Sequence, residues 1–517
     1  MSYADLFRAT LPETVLEVAA LLVLVVDLGF LRKAALQTRA AVAALLGVAG
    51  CVVGLWAVSC AGAAGLSFGG DVLLAGGGSA AVAQYGILVL TAVALLLLIG
   101  SNFTSHAGEF AAVVLMAAAG GLIVAAAQDL LVIFVGLELL SISLYILTAF
   151  AKKSGKSAEA SMKYYLFGGM SAAFLLFGFS YLYGLSGSTW LPRVVYGVNN
   201  AAAHGGAPLL AVAVVMIAAG LGFKVAAVPF HFWAPDTYEG APAPAAAFIA
   251  SVSKVASFAL LISIASVALC FMQSFTGSGS VAFGAAQMES LQQSANVSFF
   301  TTWFVIVAVL AVASMTFGNL AALVQSSVRR LVAYSAIAHA GYILLGIAFI
   351  DWTSRVPQAV LYYVLTYGLT TIGAFGAVGV VEHATGSDRM DSFLGLHKRN
   401  PLLAVVMLVL FLSLAGIPPL VGFWAKFNLF AAVLASGGNS AMPILLVALA
   451  IAFSAVSLYY YLQVLKRVYV MPGVDEAPLR VQPFTLIVLL AIAAAVILLG
   501  CFPELLRGWI AGFYPVV

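Results

Sequence analysis

Five charged side chains lie inside or at the margin of long apolar runs, where a charge is energetically unfavourable. They are Glu138, Lys163, Lys224, Lys254 and Lys426. A charge at the centre of a bilayer costs about 2.5 to 3.5 kcal/mol on insertion scales, so such residues usually mark a path for ions or protons. The structural alternative for each is a side chain that extends to the membrane interface. It applies most readily to Lys163, which opens its predicted helix.

Glu138 lies well inside the run FVGLELLSISLYILTAF, too far from either end to reach water. An ionised carboxylate there needs a cationic partner, and the nearest lysine in the sequence is Lys163, in EASMKYYLFGGMSAAFLLFG. A Lys–Glu pair whose separation can change switches the protonation of the lysine, because the carboxylate stabilises the charged form in a low dielectric. The sequence therefore predicts a Glu138–Lys163 pair as the drive of a pump.

The segment GFKVAAVPFHFWAPDTYEGAPAPAAAFIASVSK combines a helix break with ionisable groups. Pro229 breaks or kinks the helix near Lys224. His231 would lie two turns along the same face as Lys224 if the helix continued, and Lys254 follows in the next helix. These residues are predicted to be stations on a proton path, with the broken helix supplying water and free carbonyls. The alternative for His231 is an interfacial hydrogen-bonding residue at a helix end.

The second half of the chain repeats this scheme. RRLVAYSAIAHAGYILLG carries His339 in mid-helix, with Ser335 and Tyr342 nearby, and LAGIPPLVGFWAKFNLF carries a Pro418–Pro419 break followed by Lys426. Two apolar segments interrupted by proline, each with a lysine close to the break, indicate repeated halves with a site near the midplane of each. The predicted halves are residues 109–272 and 300–471.

The elements that must position these residues are transmembrane helices. Of the 517 residues, 64% are hydrophobic and 8% charged, against about 25% charged in a soluble domain. The apolar runs are about twenty residues long and do not alternate, which excludes barrel strands. The predicted all-α polytopic fold has fourteen spans, at residues 14–31, 40–61, 80–101, 109–127, 129–151, 163–185, 208–230, 240–271, 300–323, 328–350, 356–382, 401–433, 441–466 and 482–502.

Basic residues set the predicted orientation of these spans, because they concentrate in cytoplasmic loops. One set of alternate loops holds Arg32, Lys33, Arg39, Lys152, Lys153, Lys156, Arg329, Arg330, Arg389, Lys398, Arg399, Lys466, Arg467 and Arg480. The opposite set, which includes both termini, holds Arg8, Arg193, Arg355 and Arg507. Both termini are therefore predicted to be periplasmic. The first span lacks the features of a cleaved signal peptide.

Other patterns predict little further chemistry. The four cysteines are scattered, so neither a disulfide nor a metal site is expected, and the chain has no P-loop or GxGxxG motif. Binding of nucleotide or nucleic acid is not expected either. Glu13, Glu17 and Asp27 lie near the ends of the first span, where interfacial solvation is the expected state. Residues 273–299 are predicted to form an external loop.

Several of these segments resemble the antiporter-like, proton-translocating subunits of bacterial NADH:quinone oxidoreductase, respiratory complex I. The resemblance covers nearly the whole chain and is carried by LPETVLEVAALLVLVVDL, LELLSISLYILTAF, PFHFWAPDTYEGAPAP, RRLVAYSAIAHAGY and AGIPPLVGFWAKF. MKYYLFG followed by YLYGLSG resembles the subunit N branch, and fourteen spans suit that branch better than subunit L, which has a C-terminal extension with a long lateral helix.

The resemblance implies one transmembrane domain over residues 1–517, with three N-terminal helices (1–108), two inverted five-helix repeats each containing a broken helix, and a C-terminal helix (472–517). It implies that Glu138 and Lys163 form the coupling pair, that Lys224 and Lys254 form the central path, that His231 and His339 are relay or gating residues, and that Lys426 is the terminal lysine. This chain itself is expected to hold no cofactor. NADH, FMN, iron–sulfur clusters and quinone are expected in the other subunits of an inner-membrane complex, with neighbouring antiporter-like and small membrane subunits as partners.

Two other functions fit the same pattern. One is a subunit of a multisubunit cation/proton antiporter, or of an energy-converting hydrogenase, both of which resemble this helix scheme. The other is a purely structural role in a complex, against which the buried lysines argue.

Overall fold

The computed structural model describes residues 3–61, 65–68, 71–101, 103–276, 296–350, 355–436, 440–473 and 477–514. These ranges contain twenty α-helices and one short antiparallel hairpin, β1 (Leu66–Phe68) and β2 (Asp71–Leu74). In chain order the helices are α1 (Tyr3–Ala9), α2 (Leu11–Val25), α3 (Leu36–Ala61), α4 (Gly78–Leu98), α5 (Ala107–Ala126), α6 (Leu130–Thr148), α7 (Gly155–Ser186), α8 (Leu191–Ala201), α9 (Ala207–Val225), α10 (Trp233–Gly240), α11 (Ala243–Thr276), α12 (Asn296–Leu323), α13 (Val328–Ala348), α14 (Arg355–Thr385), α15 (Leu396–Arg399), α16 (Pro401–Ala415), α17 (Val421–Ser436), α18 (Ala441–Tyr469), α19 (Pro483–Cys501) and α20 (Glu504–Ala511).

The number of membrane passes agrees with the sequence. Twelve helices within the described ranges are long and apolar enough to cross a membrane. A thirteenth pass is α2 with its π-helical continuation Val26–Phe30, and a fourteenth is the pair α16 and α17, each of which is too short to cross alone. The predicted all-α, polytopic membrane fold is confirmed.

Two passes contain a helix break, the first after the membrane-length helix α9 and the second near the middle of its pass. The first consists of α9 and α10, which are separated by a left-handed residue, Ala226, and by Pro229. The second consists of α16 and α17, which are separated by the left-handed Gly416 (φ 87°) and by Pro418 and Pro419. Proline cannot donate to the helical hydrogen-bond ladder, so the backbone between the half-helices leaves carbonyls without helical partners.

The broken passes occupy matching places in two series of five. The first series is α5, α6, α7, the α9–α10 pair and α11; the second is α12, α13, α14, the α16–α17 pair and α18. Each helix of the first series is five passes away from its counterpart in the second, and because five is odd, corresponding helices run in opposite directions. The boundaries at 109–272 and 300–471 remain a prediction. Of the predicted external loop, residues 277–295 lie outside the described part of the chain, and the flanking 273–276 and 296–299 are helical.

Helix α7 is longer than the sequence predicts. It starts at Gly155 rather than near residue 163, because Ser154 caps it by accepting a hydrogen bond from the amide of Ser157. Polar residues in the first turns hide this start from a hydropathy reading. Lys163 consequently lies two turns inside the helix and does not open it.

The acidic residues of the first pass are less solvated than expected. Asp27 is 1% exposed and forms an ion pair with Arg39, at 2.6 Å between Oδ2 and Nη2. Glu13 is 5% exposed, near Gln84 of α4. The prediction of interfacial solvation was wrong for both, because α3, α4 and α5 pack around α2 and cover its ends. Gly108 on α5 lies so close to the Asp27 side chain that a Cβ there would collide with it.

Candidate functional site

The first broken pass brings Lys224 to the helix that carries Glu138. Lys224 is the penultimate residue of α9, and its Nζ donates to Ser141 Oγ at 2.5 Å. Ser141 lies one turn beyond Glu138 on α6 and in turn donates to the Leu137 carbonyl. Lys224 is therefore bonded to the helix α6 one turn away from Glu138. Lys224 is buried, whereas Glu138 is half-buried on its helix.

The predicted pairing of Glu138 with Lys163 is not formed in this structure. Lys163 Nζ lies 2.7 Å from Glu159 Oε1 and 2.7 Å from Asp236 Oδ2, and its side chain is 40% exposed. Glu138 forms no direct ion pair with any residue of the described chain. Lys163 lies on the side of α7 that packs against α10, while a lysine from a more distant part of the sequence, Lys224, bonds Ser141 on α6.

A cluster of ion pairs surrounds the short helix α10. Asp236 also accepts from Arg330 at 2.7 Å, and Glu239 accepts from Arg330 at 3.0 Å and from Lys156 at 3.1 Å. Burial raises the pKa of Asp236, but hydrogen bonds from Lys163 and Arg330 outweigh it and hold the pKa below its usual value. Burial likewise raises the pKa of Glu239, and Arg330 and Lys156 bring it below its usual value. The cluster ties α7 and α13 to the half-helix that follows the first break.

Lys254 lies deep in the interior. Its side chain is 1% exposed, and Nζ donates to the carbonyl oxygen of Ala336 on α13 at 2.5 Å. The ammonium also lies 5.4 Å from the centre of the Tyr367 ring. A buried cation gains from both a carbonyl dipole and an aromatic face. Because Ala336 is one turn before His339, this contact brings Lys254 to the histidine.

His339 is held by two tyrosines from other helices. Its Nδ1 is 2.8 Å from the hydroxyl of Tyr363, and its Nε2 is 3.4 Å from the hydroxyl of Tyr461. Tyr461 also shares a hydrogen bond with Ser335, which the sequence had placed one turn from His339. The Tyr367 ring lies against the imidazole, at 4.9 Å between centres. A histidine with a hydroxyl on each ring nitrogen can accept a proton on one side and donate one on the other.

Lys426 lies in the second broken pass, on α17. Its Nζ donates to the carbonyl of Ala415, the last residue of α16, at 3.0 Å, and to Ser454 Oγ at 2.8 Å. It lies 5.4 Å from the centre of the Tyr342 ring, whose hydroxyl accepts from Asn319 at 3.0 Å. The helix break thus supplies a carbonyl to a buried ammonium, as expected for irregular backbone at membrane depth.

The predicted site residues fall into two groups. Lys254, His339 and Lys426 share one interior cluster. Lys254 and His339 both contact the Tyr367 ring, and Lys426 and His339 both contact the Tyr342 ring. Lys224 and Glu138 form a second group, and within the described chain no hydrogen bond joins it to Lys254.

His231 lies at the first break and is 3% exposed, with its ring 4.7 Å from that of Phe317. It does not continue the face of Lys224, because α9 ends at Val225 and the chain turns at Ala226. Its Nδ1 has no hydrogen-bond partner in the described part of the chain. The ring is buried rather than interfacial.

Several site residues were not anticipated from the sequence. Tyr363 and Tyr367 come from one face of α14 and Tyr461 from α18, while Ser141 and Ser454 are serines within the apolar helices α6 and α18. The available signal was the i, i+4 spacing of the two tyrosines and the YYY run at 459–461. Tyrosine in an apolar helix is common enough that neither pattern is specific.

Metal binding finds no support within the described ranges. No group of three or more His, Cys, Asp and Glu side chains is arranged to hold a metal ion there. Cys51, Cys60 and Cys501 are free thiols.

The chain matches the family model described as NADH:quinone oxidoreductase/Mrp antiporter, TM, over residues 127–288 and 278–454. It is 46% identical over 525 residues to NADH-quinone oxidoreductase subunit N 2 of Acidobacterium capsulatum, and the alignment covers 99% of each chain. The chain belongs to the NADH-quinone oxidoreductase subunit N family. A further subunit N relative, subunit N 1 of Roseiflexus castenholzii, is 38% identical over 433 residues, covering 80% of this chain and 75% of that one. The predicted family is confirmed.

Solved structures agree with the subunit N family. A chain of respiratory complex I from Thermus thermophilus with bound aureothin is 32% identical and superposes with a TM-score of 0.73, covering 96% of this chain and 98% of that chain. A chain of the Mrp complex from Dietzia sp. DQ12-45-1b gives a TM-score of 0.78, covering 99% of this chain and 97% of that chain. At 20% identity, the second likeness concerns the fold alone.

Proposed function

We propose that this chain translocates protons across the bacterial inner membrane as the subunit N of an NADH:quinone oxidoreductase. The observation that carries the proposal is the interior cluster of Lys254, His339 and Lys426, in which two buried ammonium groups flank an imidazole. A buried lysine without a carboxylate partner releases its proton at low cost, because desolvation disfavours its charged form. Such a lysine can therefore exchange protons with a histidine that has hydroxyl partners on both ring nitrogens.

The proposed path runs along the broken passes. Lys224 takes up a proton when Glu138 is ionised, since the carboxylate attracts the ammonium, and releases it when Glu138 is protonated or moves away. The proton then passes by way of water at the first break to Lys254, with the buried His231 as a gating residue. From Lys254 it passes through His339 and its tyrosine hydroxyls to Lys426. The carbonyl of Ala415 and the hydroxyl of Ser454 support the charged form of Lys426.

Lys163 has a different proposed role from the one that the sequence suggested. Its contacts with Glu159 and Asp236 support a positioning function, in which it anchors the half-helix α10 beside the first break. A change in this ion pair would move α10 relative to α9 and alter access at the break. Lys163 would thereby influence the path without carrying the proton.

The redox chemistry is proposed to lie in other subunits. NADH, FMN, iron–sulfur clusters and quinone would react there, and quinone reduction would drive the changes around Glu138. Partners are neighbouring antiporter-like and small membrane subunits, together with the lipid bilayer. Both termini are proposed to face the periplasm, and residues 109–272 and 300–471 to be the two repeats, since the Lys/Arg-rich loops and the two broken passes support these assignments.

The test is proton pumping by the assembled complex in proteoliposomes, measured as pH change per NADH oxidised. Lys224→Ala and Glu138→Ala are each expected to leave assembly intact and to lower both pumping and coupled quinone reduction. Lys153→Ala, at an exposed loop position, is the matched control and should behave as wild type. Wild-type pumping by both interior variants in an assembled complex would contradict the proposal.

A further inference from the structure

A cavity unrelated to the proton path opens between α14, α17 and α20. Its volume is about 550 Å³. It lies on the side opposite the Lys/Arg-rich loops, where the start of α14, the end of α17 and the helix α20 meet. The residues of the proposed path do not line it, although Phe427 and Asn428, which follow Lys426 on α17, do.

The cavity concentrates positive charge on a side of the protein that has little of it. Of the four basic residues on this side, Arg8, Arg193, Arg355 and Arg507, the last two line the same cavity. Arg507 pairs with Glu504 within its own helix, at 2.5 Å between Nη2 and Oε1. Two arginines and one glutamate leave one positive charge, which matches the single negative charge of a phosphodiester.

A tyrosine that lines the same cavity carries a buried hydroxyl. Tyr362 lines the cavity and is 1% exposed, and its hydroxyl has no hydrogen-bond partner in the described part of the chain. A buried O–H without a partner is costly, so a ligand oxygen that accepts from it is expected. The amides of Gln358 and Asn428 line the cavity as further donors.

The remaining wall of the cavity suits a hydrocarbon chain. On α17 it consists of exposed Phe427 and of Ala431 and Ala435, whose small side chains leave a shallow groove along the helix. Helix α20 is amphipathic and carries a partly exposed Trp509, a residue enriched at the membrane interface. The charged residues at the start of α14 and on α20 thus lie beside the apolar groove of α17.

We propose that this cavity binds the head group of an anionic phospholipid of the outer leaflet. Arg355 and Arg507 would bind the phosphodiester through charge-assisted hydrogen bonds, and the Tyr362 hydroxyl would donate to a third oxygen. One acyl chain would lie along Phe427 and the alanines of α17. Inorganic phosphate shares the head-group chemistry but lacks the tail, so the two sources can be separated by experiment.

The test uses the purified full chain in detergent and native mass spectrometry with added dioleoyl-phosphatidylglycerol, dioleoyl-phosphatidylcholine or inorganic phosphate. Wild type is expected to retain one phosphatidylglycerol at concentrations that leave phosphatidylcholine and inorganic phosphate unbound. Arg355→Gln combined with Arg507→Gln should weaken this binding at least about tenfold, and Tyr362→Phe about threefold to tenfold. Arg193→Gln is the matched control, because that arginine lies on the same side but pairs with Asp71.

Ala435→Trp gives an independent probe, because it fills the apolar groove at an exposed position and leaves the arginines in place. It should weaken phosphatidylglycerol binding without creating phosphate binding. Equal retention of phosphatidylglycerol by wild type and the double arginine variant would overturn the proposal. So would inorganic phosphate binding as tightly as the lipid, since the groove would then contribute nothing.

Discussion

The two broken passes use the same backbone device for different electrostatic purposes. At the first break the lysine precedes the break, and Lys224 bonds a side-chain hydroxyl, Ser141, on a helix that carries a carboxylate. At the second break the lysine follows it, and Lys426 bonds the carbonyl that the break itself frees, that of Ala415. The first lysine is thus placed to respond to a charge, whereas the second is placed to hold a proton between neutral groups.

The left-handed residue differs between the breaks for a steric reason. Gly416 lies against the Lys426 side chain, so that a Cβ there would come within 3.0 Å of the lysine Cδ. The first break tolerates Ala226 at φ 60°, because Lys224 points away toward α6. A close contact between lysine and broken backbone is therefore specific to the second break.

The largest expected effect is the loss of pumping when the lysine of either break is removed, and double-mutant cycles with Glu138 then distinguish the two breaks. Lys224→Ala and Lys426→Ala should each lower pumping per NADH oxidised by about a hundredfold, since each removes a proton-transfer group. Glu138→Gln should add little to Lys224→Ala but should add its full effect to a mild Ser454→Ala change beside Lys426. Pumping assays on the assembled complex measure both couplings. Equal coupling of Glu138 to both breaks would contradict the idea that only Lys224 responds to the charge of Glu138.

Substitution of Lys426 by arginine tests whether pumping requires only a positive charge at this position or also the release of its proton. Arginine keeps its proton at all relevant pH values, so Lys426→Arg should preserve assembly and fail to pump, by about the same hundredfold as Lys426→Ala. The same substitution at Lys398, an exposed residue of the short helix α15, provides the control. Retention of more than half of the wild-type pumping rate by Lys426→Arg would indicate that Lys426 serves only as a fixed charge.

The glycine and alanine of the two breaks give a stability comparison. Gly416→Ala should destabilise the chain by roughly 1 kcal/mol, because the left-handed cost of about 1–2 kcal/mol and the close contact with Lys426 outweigh the roughly 0.5–1 kcal/mol of chain entropy saved by removing glycine. Ala226→Gly should be neutral or slightly stabilising, because relief of the left-handed cost outweighs the same entropy contribution. Thermal unfolding of the full chain in detergent compares the two. A larger loss of stability from Ala226→Gly than from Gly416→Ala would contradict the steric difference between the two breaks.

Lys163 should have a smaller effect than either lysine of the breaks. Its ion pairs are partly exposed, so Lys163→Ala should cost no more than about 1 kcal/mol of stability. Pumping should fall less than in Lys224→Ala, because Lys163 contacts Asp236 rather than Glu138. The control is Glu159→Gln, which removes only the other contact of Lys163. Loss of pumping equal to that of Glu138→Gln would favour the pairing that the sequence suggested.

The smallest effect is the pH dependence of the ion-pair cluster on α10. The pKa of Asp236 is below its usual value in the folded chain, so its contribution to stability is complete above the unfolded pKa of about 4. That contribution is lost as pH falls through the lower folded pKa. The difference in thermal midpoint between wild type and Asp236→Asn should be constant from neutral pH to about pH 5 and shrink below about pH 4. A difference in thermal midpoint that grows as the pH falls would contradict a lowered pKa of Asp236 in the folded chain.

Local features of the sequence determined the passes, the two breaks and the charges within them. Hydropathy over about twenty residues predicts a membrane helix wherever the rest of the chain goes, and proline interrupts a helix without reference to tertiary contacts. The sequence alone therefore predicts the fourteen passes, the helix breaks at Pro229 and Pro418, and the lysines buried within the passes. Helix ends were less so, since the polar first turns of α7 extend beyond its apolar run.

The choice of partners was decided only by tertiary structure. Nearness in the sequence suggested Lys163 for Glu138, yet helix packing brings Lys224 to that helix and turns Lys163 toward α10. Tyr461 beside His339, and Arg507 beside Arg355 in the cavity between α14, α17 and α20, likewise come from helices far apart in the chain. A membrane helix can rotate about its axis at little hydrophobic cost when lipid and neighbouring helices are equally apolar, so its polar partners are set by packing alone.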